Sequence, residues 1–198
     1  MNIPVIYEDD FILIADKPSG LLTVPTPKNE KRTLTGILGL FPCHRLDRGT
    51  SGLIIYTKNR QAEEKMAQAF RSRAVRKTYV AFVNKVPLRM EAEITRAIEG
   101  KPAKTHYKVI EKRRYFAIVE VRPLTGRTNQ IRIHFKSIGN PVLGEDKYAF
   151  RRDFEIKAKR LMLHACALEF EHPFTGKTVK VKSDIPEDMQ DFLNKHPD

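Results

Sequence analysis

Apolar positions along the chain fall into short runs with two different periods. Val5-Ile6-Tyr7 and Phe11-Ile12-Leu13-Ile14-Ala15, parted by Glu8-Asp9-Asp10, read as a hairpin, followed by a turn at Lys17-Pro18-Ser19-Gly20. Residues 25 to 32 are polar and Pro-bearing and read as an exposed loop. Gly52 to Thr57 has the length and composition of a buried strand. Asn59 can cap a helix to about Arg71 that carries Ala62, Met66, Ala69 and Phe70 on one face. Val75 to Val83, Thr105 to Ile110 and Phe116 to Val121 read as strands. Thr128 can cap a second helix with Ile131, Phe135 and Ile138 on a common face and Gly139 at its end. Leu161 to Phe170 and Thr178 to Lys182 flank Pro173-Phe174-Thr175-Gly176 as a second hairpin, and Pro186 opens a terminal helix with Phe192 and Leu193. Strands in sequential hairpins with few helices between them predict an α+β fold with a largely antiparallel sheet.

Composition narrows the partner. The 198 residues, 41% hydrophobic, are enough for one domain with a sizeable core. A net charge of +12 points to a polyanion, nucleic acid first, because backbone phosphates dominate such binding. A membrane partner would need a basic amphipathic helix, and none stands out; no apolar run approaches the ~20 residues of a bilayer span. The acidic start of the chain lacks the basic region and apolar core of a signal peptide. Cys43 and Cys166 read as free thiols in a reducing, cytoplasmic setting.

The candidate chemistry lies in Phe41-Pro42-Cys43-His44-Arg45-Leu46-Asp47-Arg48-Gly49-Thr50-Ser51-Gly52-Leu53. Arg45 and Arg48 flank Asp47 and favour its ionised form, and a positioned carboxylate can act as a covalent nucleophile. An aspartate in a surface salt bridge at a glycine-shaped turn is the plainer alternative. His44-Arg45-Leu46-Asp47, followed by Thr50-Ser51-Gly52, resembles the signature of the RluA-type pseudouridine synthases. These enzymes convert uridine within RNA into its C-glycoside isomer.

The resemblance covers essentially the whole chain and makes Asp47 the catalytic residue. Lys17-Pro18-Ser19-Gly20 resembles the family's first motif, a structural turn. Lys77-Thr78-Tyr79-Val80-Ala81 resembles the segment of the active-site tyrosine, so Tyr79 is expected to stack on an extruded base, a contact of ~1–3 kcal/mol; a core tyrosine is the alternative. Pro123 to His134 resembles Thr-Gly-Arg-x-His-Gln-x-Arg-x-His, in which Arg132 matches the arginine that pairs with the aspartate. Arg127 is the second candidate for that role, or a phosphate contact. Asn129 stands where the family pattern has His and, unlike His, cannot titrate. Leu163, with Leu161 as alternative, matches the apolar wall of the uracil pocket. His44, Arg45, Arg48 and Arg127 are expected on the substrate side.

The resemblance implies a bent, mixed but mainly antiparallel β-sheet with flanking helices and a central RNA-binding cleft. It implies a single catalytic domain over 1–198 with no separate N-terminal RNA-binding domain, an isomerase acting as a monomer on ribosomal or transfer RNA. No metal or organic cofactor is implied. Zinc on Cys43, His44, His164 and Cys166 lacks the spacing of a knuckle, and Gly176-Lys177-Thr178 lacks the partner glycine of a phosphate loop, having Glu171 there. The basic clusters Arg71/Arg73/Arg76/Lys77, Lys112/Arg113/Arg114, Arg151/Arg152 and Lys157/Lys159/Arg160 fit phosphate contacts that position RNA. The loop 25 to 32, the stretch 100 to 114 and Arg151-Arg152-Asp153-Phe154 are expected to select the target. Two rival functions remain. A non-catalytic RNA-binding protein would predict loss of Asp47, Tyr79 or Arg132. A glycoside-cleaving enzyme would need a second acid, and neither Asp16 nor Glu120 has a supporting motif.

Overall fold

The structure is a computed structural model that describes residues 2–27, 30 and 32–197. Within the 25 to 32 loop, Lys28, Asn29 and Lys31 lie outside the described residues. The chain forms two compact units, Met1–Lys77 with Ala165–Asp184, and Thr78–His164 with Ile185–Asp198.

In the first unit β1 (Val5–Glu8) and β2 (Ile12–Lys17) form the expected N-terminal hairpin. Asp9 fixes its turn by accepting the N–H groups of Phe11 (2.8 Å) and Ile12 (2.9 Å). α1 (Leu34–Leu38), capped by Thr33, and the two-residue β3 (Phe41–Pro42) lead to β4 (Ser51–Thr57). β4 is buried at every position, as its unbroken apolar run requires. It pairs antiparallel with β2 and β3, and its other neighbour in the sheet is β9 (Leu163–Glu171), which pairs antiparallel with β10 (Thr178–Lys182). α2 (Arg60–Arg71) starts at Asn59, whose side chain accepts the Ala62 N–H. Its Met66 joins Ile12, Ile14, Leu53, Ile55, Leu168 and Phe170 in one core.

The second unit holds most of β5 (Arg76–Asn84), then β6 (Glu91–Ile94), β7 (Thr105–Lys112) and β8 (Phe116–Pro123). Their order is β5-β8-β7-β6, with antiparallel pairing throughout. Most of the stretch 100 to 114 is β7, where the pattern predicts a strand over Thr105 to Ile110. α3 (Gln130–Ser137) packs on β7 and β8 with Ile131, His134 and Phe135 buried. Its N-cap is Asn129, not Thr128, and Ile138 lies past its end with 38% of its surface exposed. α4 (Glu187–Lys195) sets Phe192 against Phe82 and Phe116, while Pro186 is its N-cap, one residue ahead of the first turn. The fold is α+β with a mainly antiparallel sheet, as the pattern predicts.

Candidate active site

Asp47 sits in the irregular segment between β3 and β4, partly buried. Such a segment must satisfy its peptide groups without a ladder, and here the preceding turn does so. The Thr23 hydroxyl accepts the Leu46 N–H (3.2 Å) and donates to the Leu46 carbonyl (2.9 Å). The Asp47 carbonyl takes the Thr50 N–H (3.1 Å). The Arg48 carbonyl takes the Gly20 N–H (2.8 Å) and the Lys17 ammonium (3.3 Å), and Ser19 Oγ donates to the Gly49 carbonyl (2.8 Å). Lys17 is fully buried, and its Nζ also donates to the carbonyls of Leu21 (2.7 Å) and Pro18 (2.9 Å). The Lys17-Pro18-Ser19-Gly20 turn therefore clamps the main chain after Asp47, and Thr23 clamps it before.

Arg45 and Arg48 are exposed, and Arg48 Nε donates to the Gly20 carbonyl (3.1 Å). Beside them lies an open cavity of about 430 Å³ lined by Gly20, Leu22, Glu30, Arg32 and Arg48. His44 turns inward. Its Nε2 accepts the Ile55 N–H (3.1 Å), so the ring is neutral with its proton on Nδ1, and it packs on Phe70. Burial, with the Lys77 charge adding to it, pushes the His44 pKa down to about 3. The thiol of Cys43 is pushed up to about 12 by burial, which makes it unreactive.

The His44 shift has a definite sign. The unfolded imidazole binds a proton near pH 6.5 and the folded one does not, so its contribution is complete above that pH and is lost as pH falls. Wild-type stability is expected to fall by on the order of 1 kcal/mol per pH unit from this group below pH ~6.5. His44→Gln keeps an acceptor for Ile55 and should flatten the decline between pH 6.5 and 4.5, read from urea midpoints; parallel slopes in the two proteins would refute this.

In the second unit Tyr79 lies on β5 opposite Val121, with 8% of its surface exposed. Leu163, the first residue of β9, is buried, as is Leu161 just before it. The loop before α3 is stitched by Gln130. Its Oε1 accepts from Thr125 Oγ1 (2.6 Å) and the Arg127 N–H (3.0 Å), and its Nε2 donates to the Lys104 carbonyl and Thr105 Oγ1 (both 2.9 Å). Arg127 is exposed at its guanidinium, with Nε on the Pro102 carbonyl (3.1 Å).

Asn129 has φ +53°, a left-handed conformation that asparagine tolerates better than most residues. It makes no side-chain cap bond. Its amide instead faces two ways: Nδ2 donates to Tyr148 Oη (2.8 Å) and Oδ1 accepts from Arg132 Nη1 (3.0 Å). Arg132 also donates through Nε to Glu145 Oε2 (2.6 Å) and through Nη2 to Glu145 Oε1 (2.7 Å), over the Tyr148 ring. Burial alone would raise the Glu145 pKa, but Arg132 and the N–H groups of Lys147 and Tyr148 outweigh it and hold the carboxyl below its ordinary range. Arg160, read from sequence as one of the RNA-facing bases, is committed to Asp188 through two bonds of 2.7 Å. Among the described residues no cluster of His, Cys, Asp or Glu could hold a metal ion, and no helix is long and apolar enough to cross a membrane.

The family model described as RNA pseudouridylate synthase matches residues 11–137, a span that includes Asp47, Tyr79, Arg127 and Arg132. The chain belongs to the RNA pseudouridylate synthase family. Its activity class is therefore that of an RNA pseudouridine synthase, an isomerase. The chain is 34% identical to "Dual-specificity RNA pseudouridine synthase RluA" of Vibrio cholerae, over 99% of this chain and 89% of that protein. It is 33% identical to "Uncharacterized RNA pseudouridine synthase YlyB" of Bacillus subtilis, over 98% of this chain and 72% of that one. Among solved structures, "Human RNA Pseudouridylate Synthase Domain Containing 1" superposes with a TM-score of 0.78 and 27% identity, covering 93% of this chain and 84% of that one.

Sequence reasoning singled out Asp47, Tyr79 and Arg132 but missed Thr23, Glu145 and Tyr148. A lone threonine in a loop carries no pattern. Glu145-Asp146-Lys147-Tyr148 after Gly144 reads only as a polar turn.

Proposed function

We propose that this synthase isomerises uridines in structured ribosomal or transfer RNA, with Asp47 as the nucleophile. The observation that carries the reading is the clamp around Asp47, in which the peptide groups of residues 46 to 49 are bonded to a buried lysine, a threonine and a turn. That is costly architecture for a surface aspartate and a sensible one for a group that must meet a reacting atom repeatedly. The target uridine is extruded from its helix, at a few kcal/mol of lost stacking. Tyr79 stacks on it, Leu163 walls the base, and Arg132 supports the developing charge. Arg45, Arg48 and Arg127 contact the phosphates, and His44 serves the site by fixing Ile55 of β4 beside the Asp47 loop.

The Asp47 carboxylate attacks uracil C6 or ribose C1′, and the N1–C1′ bond breaks. The base turns, a C5–C1′ bond forms, the bond to Asp47 breaks and returns its carboxylate, the C5 proton leaves, and N1 gains a proton. Electrons and atoms balance without an oxidant, reductant or hydrolytic water, so the proposed enzyme works without metal or organic cofactor. We further take the two units to act together as one catalytic domain, in a monomer of the reducing cytoplasm, where Cys43 and Cys166 stay free thiols.

The test is release of tritium from RNA labelled at uracil C5, with transfer and ribosomal RNA pools assayed separately. Release from either pool is expected and names the substrate class. Tight RNA binding without release from either would instead favour a non-catalytic RNA-binding protein.

A further inference from the structure

We propose that Glu145 is a positioning residue for the isomerisation, acting through Arg132, with Asn129 and Tyr148 completing the cradle. The proposal rests on the function given above and specifies how the site's arginine is held. Two parallel bonds from one carboxylate fix both the plane and the rotation of a guanidinium, which a single bond would leave free to turn. Glu145 supplies that fork from a fully buried side chain, while 11% of the Arg132 side chain stays exposed. The fork occupies the Nε and Nη2 edge, and Asn129 occupies one proton of Nη1, a nitrogen that carries two. The cradle thus sets the direction in which the Nη1 edge is presented.

The turn that carries Glu145 is itself built to close tolerance. Gly144 has φ +78°, and a Cβ there would lie 1.9 Å from the Arg160 carbonyl oxygen, so only glycine fits. Glu145 donates its N–H to the Val142 carbonyl (3.1 Å) and accepts the N–H groups of Lys147 (2.8 Å) and Tyr148 (3.1 Å) on Oε1. The carboxylate therefore cannot follow Arg132 if the arginine moves. Stability does not account for the arrangement well, since a buried ion pair contributes little net stabilisation relative to apolar packing. Nor does RNA attraction, because the pair is neutral, and Asp146 adds a further negative charge 3.5 Å from Nη2.

The experiment compares single-turnover pseudouridine formation, RNA dissociation constant and thermal midpoint for wild type, Glu145→Gln and Glu145→Asp. Glu145→Gln is expected to fold, to bind RNA within threefold of wild type and to react about 100-fold more slowly. Glu145→Asp, which keeps the charge on a shorter stem, is expected to react roughly three- to tenfold more slowly than wild type. A folded Glu145→Gln protein reacting within threefold of wild type overturns the proposal, as does a loss of RNA affinity that matches the loss of rate. If Glu145→Gln does not fold, the aspartate variant decides: an impaired rate with unchanged affinity supports positioning, and a wild-type rate overturns it. Failure of both variants to fold makes the pair a stability element and also overturns it. Wild-type protein that releases no tritium overturns the isomerase reading and the positioning role together, whereas an active wild type with an unimpaired Glu145→Gln removes only the latter.

Discussion

Asp47→Asn is expected to abolish pseudouridine formation, lowering the single-turnover rate by on the order of 10⁴-fold or more while leaving RNA affinity within a few-fold of wild type. The substitution is nearly isosteric and removes the one group that can form and later release a bond to the nucleotide. An amide nitrogen is not a nucleophile under these conditions, and the amide oxygen is a far poorer one than a carboxylate. The surrounding backbone should be unchanged, because the clamp acts on peptide groups and not on the Asp47 side chain: Thr23 holds Leu46, Lys17 and Gly20 hold Arg48, and Ser19 holds Gly49. Tritium release from C5-labelled RNA and a filter-binding titration make the comparison. A variant that retains a tenth of the wild-type rate would remove Asp47 from the role of nucleophile.

The same contrast between side chain and backbone explains what the sequence made legible. Strands and helices announced themselves where one face is apolar and the ends carry punctuation: the β1–β2 hairpin around Asp9, α2 behind its Asn59 cap, and β9–β10 around Gly176. β6 escaped because it is a four-residue strand at the end of its row whose Glu91 and Glu93 are exposed, leaving only Ala92 and Ile94 as a pattern. α1 escaped because five residues with Gly36 among them make a poor helix by propensity, and it forms on the Thr33 cap and the burial of Leu34.

At the start of α3 the general preference for threonine as a cap pointed to Thr128. The chain instead places Asn129 there in a left-handed conformation and spends its amide on Arg132 and on Tyr148, the latter a tertiary demand that no local window contains. The candidate site divides in the same way. Asp47, Tyr79 and Arg132 stood out as candidates because they fall in short motifs. The groups that hold them still, Thr23 and Glu145, did not, because each acts on a residue far away in sequence through one or two bonds.

Gly52 is where a motif residue and a packing constraint coincide, and Gly52→Ala is expected to cost about 3 kcal/mol of stability. Its φ of +115° lies where a side chain strains the backbone, and a Cβ would fall 2.4 Å from the Ala165 carbonyl oxygen and 2.5 Å from the Ala165 nitrogen. Both obstacles are main chain of β9, which neighbours β4 in the sheet, so no rotamer change relieves them. Either β4 moves at its first turn of register or β9 does, and both strands are buried in the core that contains Leu53, Ile55, Leu168 and Phe170. For a chain of this size the expected fall in thermal midpoint is about 6–12 °C. Gly126→Ala is the control, since a Cβ there has nothing within 4 Å, and it should stay within roughly 1 kcal/mol of wild type. A Gly52→Ala protein melting within 2 °C of wild type would show that β9 can yield at Ala165. Should the midpoint fall as expected, the glycine of the Thr50-Ser51-Gly52 signature is explained by the backbone of β9 alone, with no direct part in the chemistry proposed for Asp47 five residues earlier.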